Sequence, residues 1–161
     1  GLVNSDPNSA NGQEREAGLR AVAEENGATV AGVVNVDSNI ESATAGALEL
    51  LNEHPEINVI VGFNEWTTLG VGYAVEQLGL ADEVAAVGFD SNVVSIGMLE
   101  AGEMDALVVQ NPFAIGYLGV QSAYLLLSGT EIAQSTLTTA TVVTKDNMFD
   151  EQNQRILFRF D

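Results

Sequence analysis

Cysteine is absent from this chain of 161 residues, and basic side chains are nearly so. Without a thiol there can be no disulfide, no thiolate metal centre and no cysteine nucleophile. Five cations (Arg15, Arg20, Lys145, Arg155 and Arg159) stand against 23 acidic residues, for a net charge of −18. A nucleic-acid partner needs a basic face to neutralise its phosphates, and five scattered cations cannot build one. The same excess disfavours an anionic membrane surface. His54 is the sole histidine. It stands at a helix end before Pro55, where a cation complements the helix dipole, so Ser–His–Asp chemistry is poorly supported. No apolar run approaches the ~20 residues that cross a bilayer. No signal-peptide pattern lies within the chain.

What is present describes a folded domain. Hydrophobic residues make up 46% of the chain, and the length suits one domain with a real core. Short apolar runs alternate with helical periodicity. Gly1 to Val3 reads as a strand and Asn4 to Asn11 as a loop. Helices follow over Gly12 to Glu25, Asn39 to Glu53, Thr67 to Leu78, Asn92 to Ala101 and Phe113 to Leu127. Between them lie strands at Ala28 to Val36, Val59 to Phe63, Val84 to Phe89 and Ala106 to Val109. Leu137 to Val143 alternates threonine with apolar residues, as an edge strand does. The tail, with Ile156, Leu157, Phe158 and Phe160, is expected to pack. This alternation predicts an α/β fold, a three-layer, doubly wound and mostly parallel sheet in a single domain over 1–161.

Three of these strands end on hydrogen-bonding side chains: Asn64, Asp90 and Gln110. The carboxyl ends of strands in an open parallel sheet are where ligands bind. Asp90 can accept from vicinal hydroxyls, while Asn64 and Gln110 both donate and accept. That set suits a neutral polyhydroxylated molecule. The competing reading is helix capping, because Asp90 precedes the helix at Asn92 and Asn64 the one at Thr67. Trp66 can stack on the apolar face of such a ligand or pack between sheet and helix. Phe113 stands in the same relation to Gln110. The stretch from Asp37 to Glu41 is oxygen-rich, but a loop ending in a cap accounts for it better than a calcium site. Gly70-Val71-Gly72 lies inside a helix and is no dinucleotide loop. Nothing calls for a cofactor or metal, and an enzyme on such a sheet is the weakest reading.

Six motifs in order resemble one family. They are Arg15-Glu16-Ala17-Gly18-Leu19, His54-Pro55, Asn64-Glu65-Trp66-Thr67-Thr68-Leu69-Gly70, Val87-Gly88-Phe89-Asp90, Gln110-Asn111-Pro112-Phe113-Ala114-Ile115-Gly116, and Val143-Thr144-Lys145-Asp146-Asn147. Together they resemble the carboxyl-terminal half of the periplasmic sugar-binding proteins of ABC transporters, ribose-binding type (type I). The resemblance implies a non-enzymatic solute-binding lobe with a flavodoxin-like fold. Its ligand, a sugar or polyol, would be held between two lobes, and an ABC-transporter permease would be the partner. It implies a periplasmic or extracellular location, with membrane anchoring an option for a full-length form.

By position, Asn64, Asp90 and Gln110 match the family's sugar-bonding residues. Gln13 falls where ribose binders carry an arginine that contacts the ligand, and Ser38 near a stacking aromatic. These two departures point away from ribose. Gln13, Asn64, Asp90 and Gln110 are therefore the expected ligand residues, with Ser38 and Trp66 as secondary candidates. The amino-terminal lobe is expected to be absent. Phe113 to Leu127, which the family returns to its first lobe, would here pack on this lobe, pack on another chain or lie exposed. Self-association is one expected consequence. The effector domain of a LacI-type transcription regulator is the alternative, since it shares the fold.

Acidic excess with almost no lysine also matches proteins adapted to high salt. At molar ionic strength the Debye length falls to ~3 Å, which screens the self-repulsion of the chain. Thermal melts should therefore rise between low and molar NaCl, and a melt that stays flat would remove the halophilic reading.

Overall fold

Asparagine opens most of the helices. In the computed structural model, which describes residues 1–158, Asn39 caps α2 (Ile40–Glu53), Asn64 caps α3 (Glu65–Leu78), Asn92 caps α4 (Val93–Ala101) and Asn111 caps α5 (Pro112–Leu127). Each side-chain oxygen accepts a backbone N–H of the first turn that has no intrahelical partner. Ser9 does the same for α1 (Ala10–Glu25), so this helix begins two residues before the predicted Gly12. Gly79 and Gly102 end α3 and α4 in the left-handed conformation that lacks a Cβ penalty there. A last helix, α6 (Glu151–Leu157), forms in the tail, where Ile156 and Leu157 pack against the core. The expectation for Phe160 falls outside the described residues.

The strands are β1 (Leu2–Asn4), β2 (Val33–Asn35), β3 (Val59–Gly62), β4 (Ala85–Phe89), β5 (Ala106–Gln110) and β6 (Ala140–Thr144). They form one sheet in the order β2-β1-β3-β4-β5-β6. Neighbours run parallel except β6, which is antiparallel to β5 and pairs Gln110 with Ala140. The α/β, mostly parallel sheet expected from the sequence is therefore present. The strand predicted over Ala28 to Val36 is shorter than expected, because β2 pairs only along the three residues of β1. Its β-branched composition favours an extended chain, but a ladder needs a partner along its length.

Alternate strand residues point to opposite faces, and the two faces are covered unequally. Val3, Ile60, Ala86, Leu107, Val109 and Val143 join Leu50, Leu69, Val75 and Leu99 in the main core, with α2, α3 and α4 over them. The other face carries Leu2, Val61 and Phe63, packed against Leu19 of α1 and the half-buried Val87 and Phe89. Complete burial of one such aliphatic side chain contributes ~2 kcal/mol, so most of the stability comes from the first face.

Helix α3 approaches β4 so closely that only glycine fits between them. A Cβ on Gly88 would lie 2.2 Å from Thr68 Cγ2 and 2.6 Å from its Oγ1. The Thr68 hydroxyl accepts from the Phe89 N–H at 2.8 Å and donates to the Phe89 carbonyl at 3.0 Å. This clasp fixes the last residue of β4 against the first turns of α3. Gly88→Ala should lower stability by about 2 kcal/mol in urea unfolding, as overpacking does. Adding Thr68→Ser, which removes the nearest methyl, should recover part of the loss.

Candidate functional site

Strands β3, β4 and β5 are neighbours, so their carboxyl ends bring Phe63-Asn64, Phe89-Asp90 and Gln110 onto one edge. One side chain ties the three together. Arg15, from the second turn of α1, donates to the Phe63 carbonyl and, through its second terminal nitrogen, to Gln110 Oε1 at 3.1 Å. Its guanidinium carbon lies 4.5 Å from the centroid of the Phe89 ring. Phe89 in turn meets Phe63 edge-on, with centroids 6.3 Å apart. A planar, permanently charged fork with several donors can serve carbonyl, amide and ring at once, which a lysine cannot. The cation over the ring face adds electrostatic attraction.

Asp90 sits beside this group in a left-handed backbone conformation, with φ at 64°. Aspartate tolerates that region better than most residues, but the position is uncommon. Its N–H still reaches the Val108 carbonyl at 3.0 Å, so β4 is pinned up to the residue that turns away. Asp90 is not the cap of α4, because Asn92 accepts from Val94 and Ser95 N–H, both at 2.9 Å. Among the described residues its carboxylate accepts no hydrogen bond. Burial pushes its pKa above the ordinary aspartate value; Arg15 opposes the shift and Glu65 reinforces it. The arrangement leaves a half-desolvated acceptor that a hydroxyl donor would satisfy.

The other candidates divide. Asn64 is a cap: its Oδ1 accepts the Thr67 N–H at 3.0 Å, and the Thr67 hydroxyl accepts the Asn64 N–H at 2.9 Å. Its amide nitrogen also donates to the Ser5 hydroxyl, linking the ends of β1 and β3 where the strand order reverses. One Asn64 N–H remains unused, as does the amide nitrogen of Gln110. Gln13 is exposed and donates to the Pro7 carbonyl at 3.2 Å, apart from the Arg15 group. Ser38 is exposed on the loop after β2, and Asn39, beside it, caps α2 through Ser42 N–H at 2.8 Å. Trp66 is 42% exposed on the first turn of α3, so it is not a core residue. Phe113, three residues after Gln110 at the end of β5, is exposed and stacks on Tyr117 with centroids 6.2 Å apart.

Sequence reasoning undervalued Arg15, which entered only as part of a motif. The available signal was rarity: one of five cations lies at the start of the helix that follows β1. A cavity of about 880 Å³ runs along the α1 face of the sheet and reaches this group at Arg15, Phe63 and Phe89. It is mainly apolar and lies behind the polar edge.

A family model described as a periplasmic binding protein domain matches residues 1–131. The chain belongs to the periplasmic binding protein family. That is a family of binding proteins, not of enzymes. Among curated relatives, this family member is 30% identical over 129 residues to a D-ribose/D-allose-binding protein of Pseudomonas aeruginosa, covering 80% of the chain and 40% of that protein. It is similar to a solved carbohydrate-transporter solute-binding protein from Agrobacterium radiobacter in complex with D-arabinose. The TM-score there is 0.92 at 26% identity, over 98% of the chain and 54% of the other. An ABC-transporter solute-binding protein from Agrobacterium vitis with bound D-fucose gives 0.90 at 26% identity, over 98% and 55%. The chain thus spans about half the length of these structures and less of the curated relative.

The raised Asp90 pKa has a consequence for stability. A carboxyl whose folded pKa exceeds its unfolded value binds protons more tightly in the fold, so stability falls as pH rises between the two values. Asp90→Asn should therefore raise the melting temperature at neutral pH by no more than a few degrees. The gain should shrink on acidification to below the ordinary aspartate pKa. An Asp90→Asn variant that melts lower than the parent at neutral pH would contradict this account.

Proposed function

We propose that the chain is one lobe of a sugar- or polyol-binding protein that serves ABC-transporter uptake, corresponding to the carboxyl-terminal lobe of its relatives. The observation that carries this reading is the polar edge organised by Arg15. There Asp90 offers a carboxylate without a protein donor, while Gln110 and Asn64 hold unused N–H groups. Acceptors and donors in alternation, with little net positive charge, match the hydroxyls of a neutral sugar. The D-ribose/D-allose-binding relative and the complexes with D-arabinose and D-fucose support a monosaccharide as the class. Their names favour a transport role over the effector domain of a LacI-type regulator.

In this reading Asp90, Gln110 and Asn64 hold the ligand through hydrogen bonds. Arg15 positions Gln110 and the ends of β3 and β4. Gln13 contributes from the rim by swinging off the Pro7 carbonyl. Trp66 offers an exposed ring for stacking, and Ser38 a hydroxyl from the neighbouring loop. The site works without cofactor or metal. The permease of the transporter is the protein partner, and the location is periplasmic or extracellular. A single lobe leaves its ligand half-solvated, so its affinity is weak by comparison with a closed clamp.

Titration of the labelled chain with D-allose, D-ribose, D-arabinose and D-fucose, followed by amide NMR, tests the assignment at weak affinity. At least one sugar should shift the resonances of Asn64, Asp90 and Gln110. Asp90→Ala and Gln110→Ala should each abolish the shifts while leaving the rest of the spectrum folded. Binding unchanged in both variants would remove this edge as the site.

A further inference from the structure

Four asparagines cap helices, and two of them do more than cap. Asn39 and Asn111 each accept from their own helix, and among the described residues their amide nitrogens reach no neighbouring element. Asn64 and Asn92 give the oxygen to the helix and the nitrogen to a different element. Asn64 Nδ2 donates to the Ser5 hydroxyl after β1, and Asn92 Nδ2 donates to Glu65 Oε1 at 2.7 Å. Glu65 is the first residue of α3 and follows Asn64 directly. The two bonds therefore stitch the ends of β1, β3 and β4 together in series. The second has an ionised acceptor, which makes it the stronger kind.

Asp90 lies inside the second stitch, since only Asp90 and Ser91 connect Phe89 to Asn92. Phe89 is held through both its backbone groups by Thr68 Oγ1. Asn92 is held from the other side. Its Oδ1 accepts from Val94 and Ser95 N–H, its own N–H donates to Ser95 Oγ at 2.9 Å, and Glu65 takes the amide nitrogen. A two-residue link pinned at both ends leaves the left-handed Asp90 little room to redirect its carboxylate. The charged groups that bear on this carboxylate are Arg15 from α1 and Glu65 from α3. The first turns of α4 and α5 and the end of β5 add no charge. Glu65 thus acts on Asp90 twice, through a bond that ends two residues away and through its own negative charge.

We propose that Glu65 is a positioning residue for ligand binding at the carboxyl edge: it aims the Asp90 carboxylate through Asn92 and tunes it by charge, without itself touching the ligand. This role rests on the sugar reading above. The bond and the charge do different things. The bond fixes direction, which a hydroxyl donor needs because a hydrogen bond weakens steeply as it bends. The charge sets the pH range, since Asp90 accepts in full only when ionised. Burial holds its pKa above the ordinary aspartate value, Arg15 opposes the shift and Glu65 reinforces it. Affinity therefore falls on acidification at a higher pH than an unperturbed aspartate would give. Removing the Glu65 charge moves that fall to lower pH. Glu65 is exposed, so its replacement leaves the fold intact.

Three variants separate the two effects. Glu65→Gln keeps an acceptor for Asn92 and loses the charge, Glu65→Ala loses both, and Asn92→Ser keeps a helix cap and loses the donor. Each chain is titrated by amide NMR with D-allose, D-ribose, D-arabinose and D-fucose, from acid to neutral pH. At neutral pH Glu65→Ala and Asn92→Ser should each weaken binding about tenfold, as the loss of one well-aimed hydrogen bond does. Glu65→Gln should recover most of that loss. The acid fall in affinity should move to lower pH in both Glu65 variants and stay in place in Asn92→Ser. The Asp90 carboxyl carbon, titrated without sugar, should move in the same direction. Affinity equal to the parent's in both Glu65→Ala and Asn92→Ser would overturn the proposal. So would a loss in Glu65→Ala that Asn92→Ser does not share, because Glu65 would then meet the sugar itself. An Asp90 titration unmoved by Glu65→Gln would overturn it without any sugar present. A parent chain that binds none of the four sugars removes the ligand reading, and this role with it, which separates that failure from one of Glu65 alone.

Discussion

Arg15 is the constraint on which the carboxyl edge of the sheet depends. Thr68 holds the end of β4 and the Asn64–Ser5 bond that of β3, but neither joins the three strand ends to one another. A single guanidinium bonds the Phe63 carbonyl and Gln110 Oε1 and lies over the Phe89 ring, spanning β3, β4 and β5. A half-buried cation is tolerable only when its donors are used, and here the partners are neutral. The charge is therefore not cancelled by an ion pair. It remains available to moderate Asp90, whose carboxylate is left short of donors. The same residue thus stiffens the edge and sets its electrostatics.

The second constraint is the closeness of α3 to the sheet. Gly62 and Gly88 admit the first turns of the helix against β3 and β4, and Thr68 locks Phe89 there. With Phe89 fixed on both faces, by Thr68 on one and Arg15 on the other, the chain must turn sharply at the next residue. That residue is Asp90, in a left-handed conformation. Its placement at the carboxyl edge accompanies close packing on either side of Phe89.

Much of this was legible beforehand. Apolar runs of four to six residues between helical stretches identified the parallel strands, and the polar tips Asn64, Asp90 and Gln110 did converge on one edge. Capping could not be separated from ligand contact by spacing alone. Asn64 proved to be a cap, whereas Asn92 relieved Asp90 of that role. Arg15 was hidden because its partners lie 48 and 95 residues away, beyond any local pattern. The segment Ala28 to Gly32 misled by composition, since β-branched residues favour extension whether or not a ladder forms. For helix α5 the sequence leaves open packing on this lobe, packing on another chain and exposure. A sequence apolar on nearly every side signals burial, yet the fold presents it to solvent, because the signal concerns what the helix needs and not which surface supplies it.

If the carboxyl edge is the site proposed above, these features together select the kind of molecule it can hold. Arg15 spends two of its five N–H donors on a carbonyl and an amide, which leaves fewer of them for a phosphate or carboxylate. An anionic ligand would also approach a chain of net charge −18 and meet Asp90 and Glu65 at the mouth. A cation would be drawn in, but the unused N–H groups of Gln110 and Asn64 would then face it without an acceptor. In the proposed reading a neutral molecule bearing hydroxyls suits both sets, donating to Asp90 and accepting from the amides. Discrimination among such molecules rests on where the hydroxyls fall. In the proposed reading one lobe meets one side of the ligand, and the groups at Asp90, Gln110 and Asn64 fix only the hydroxyls on that side.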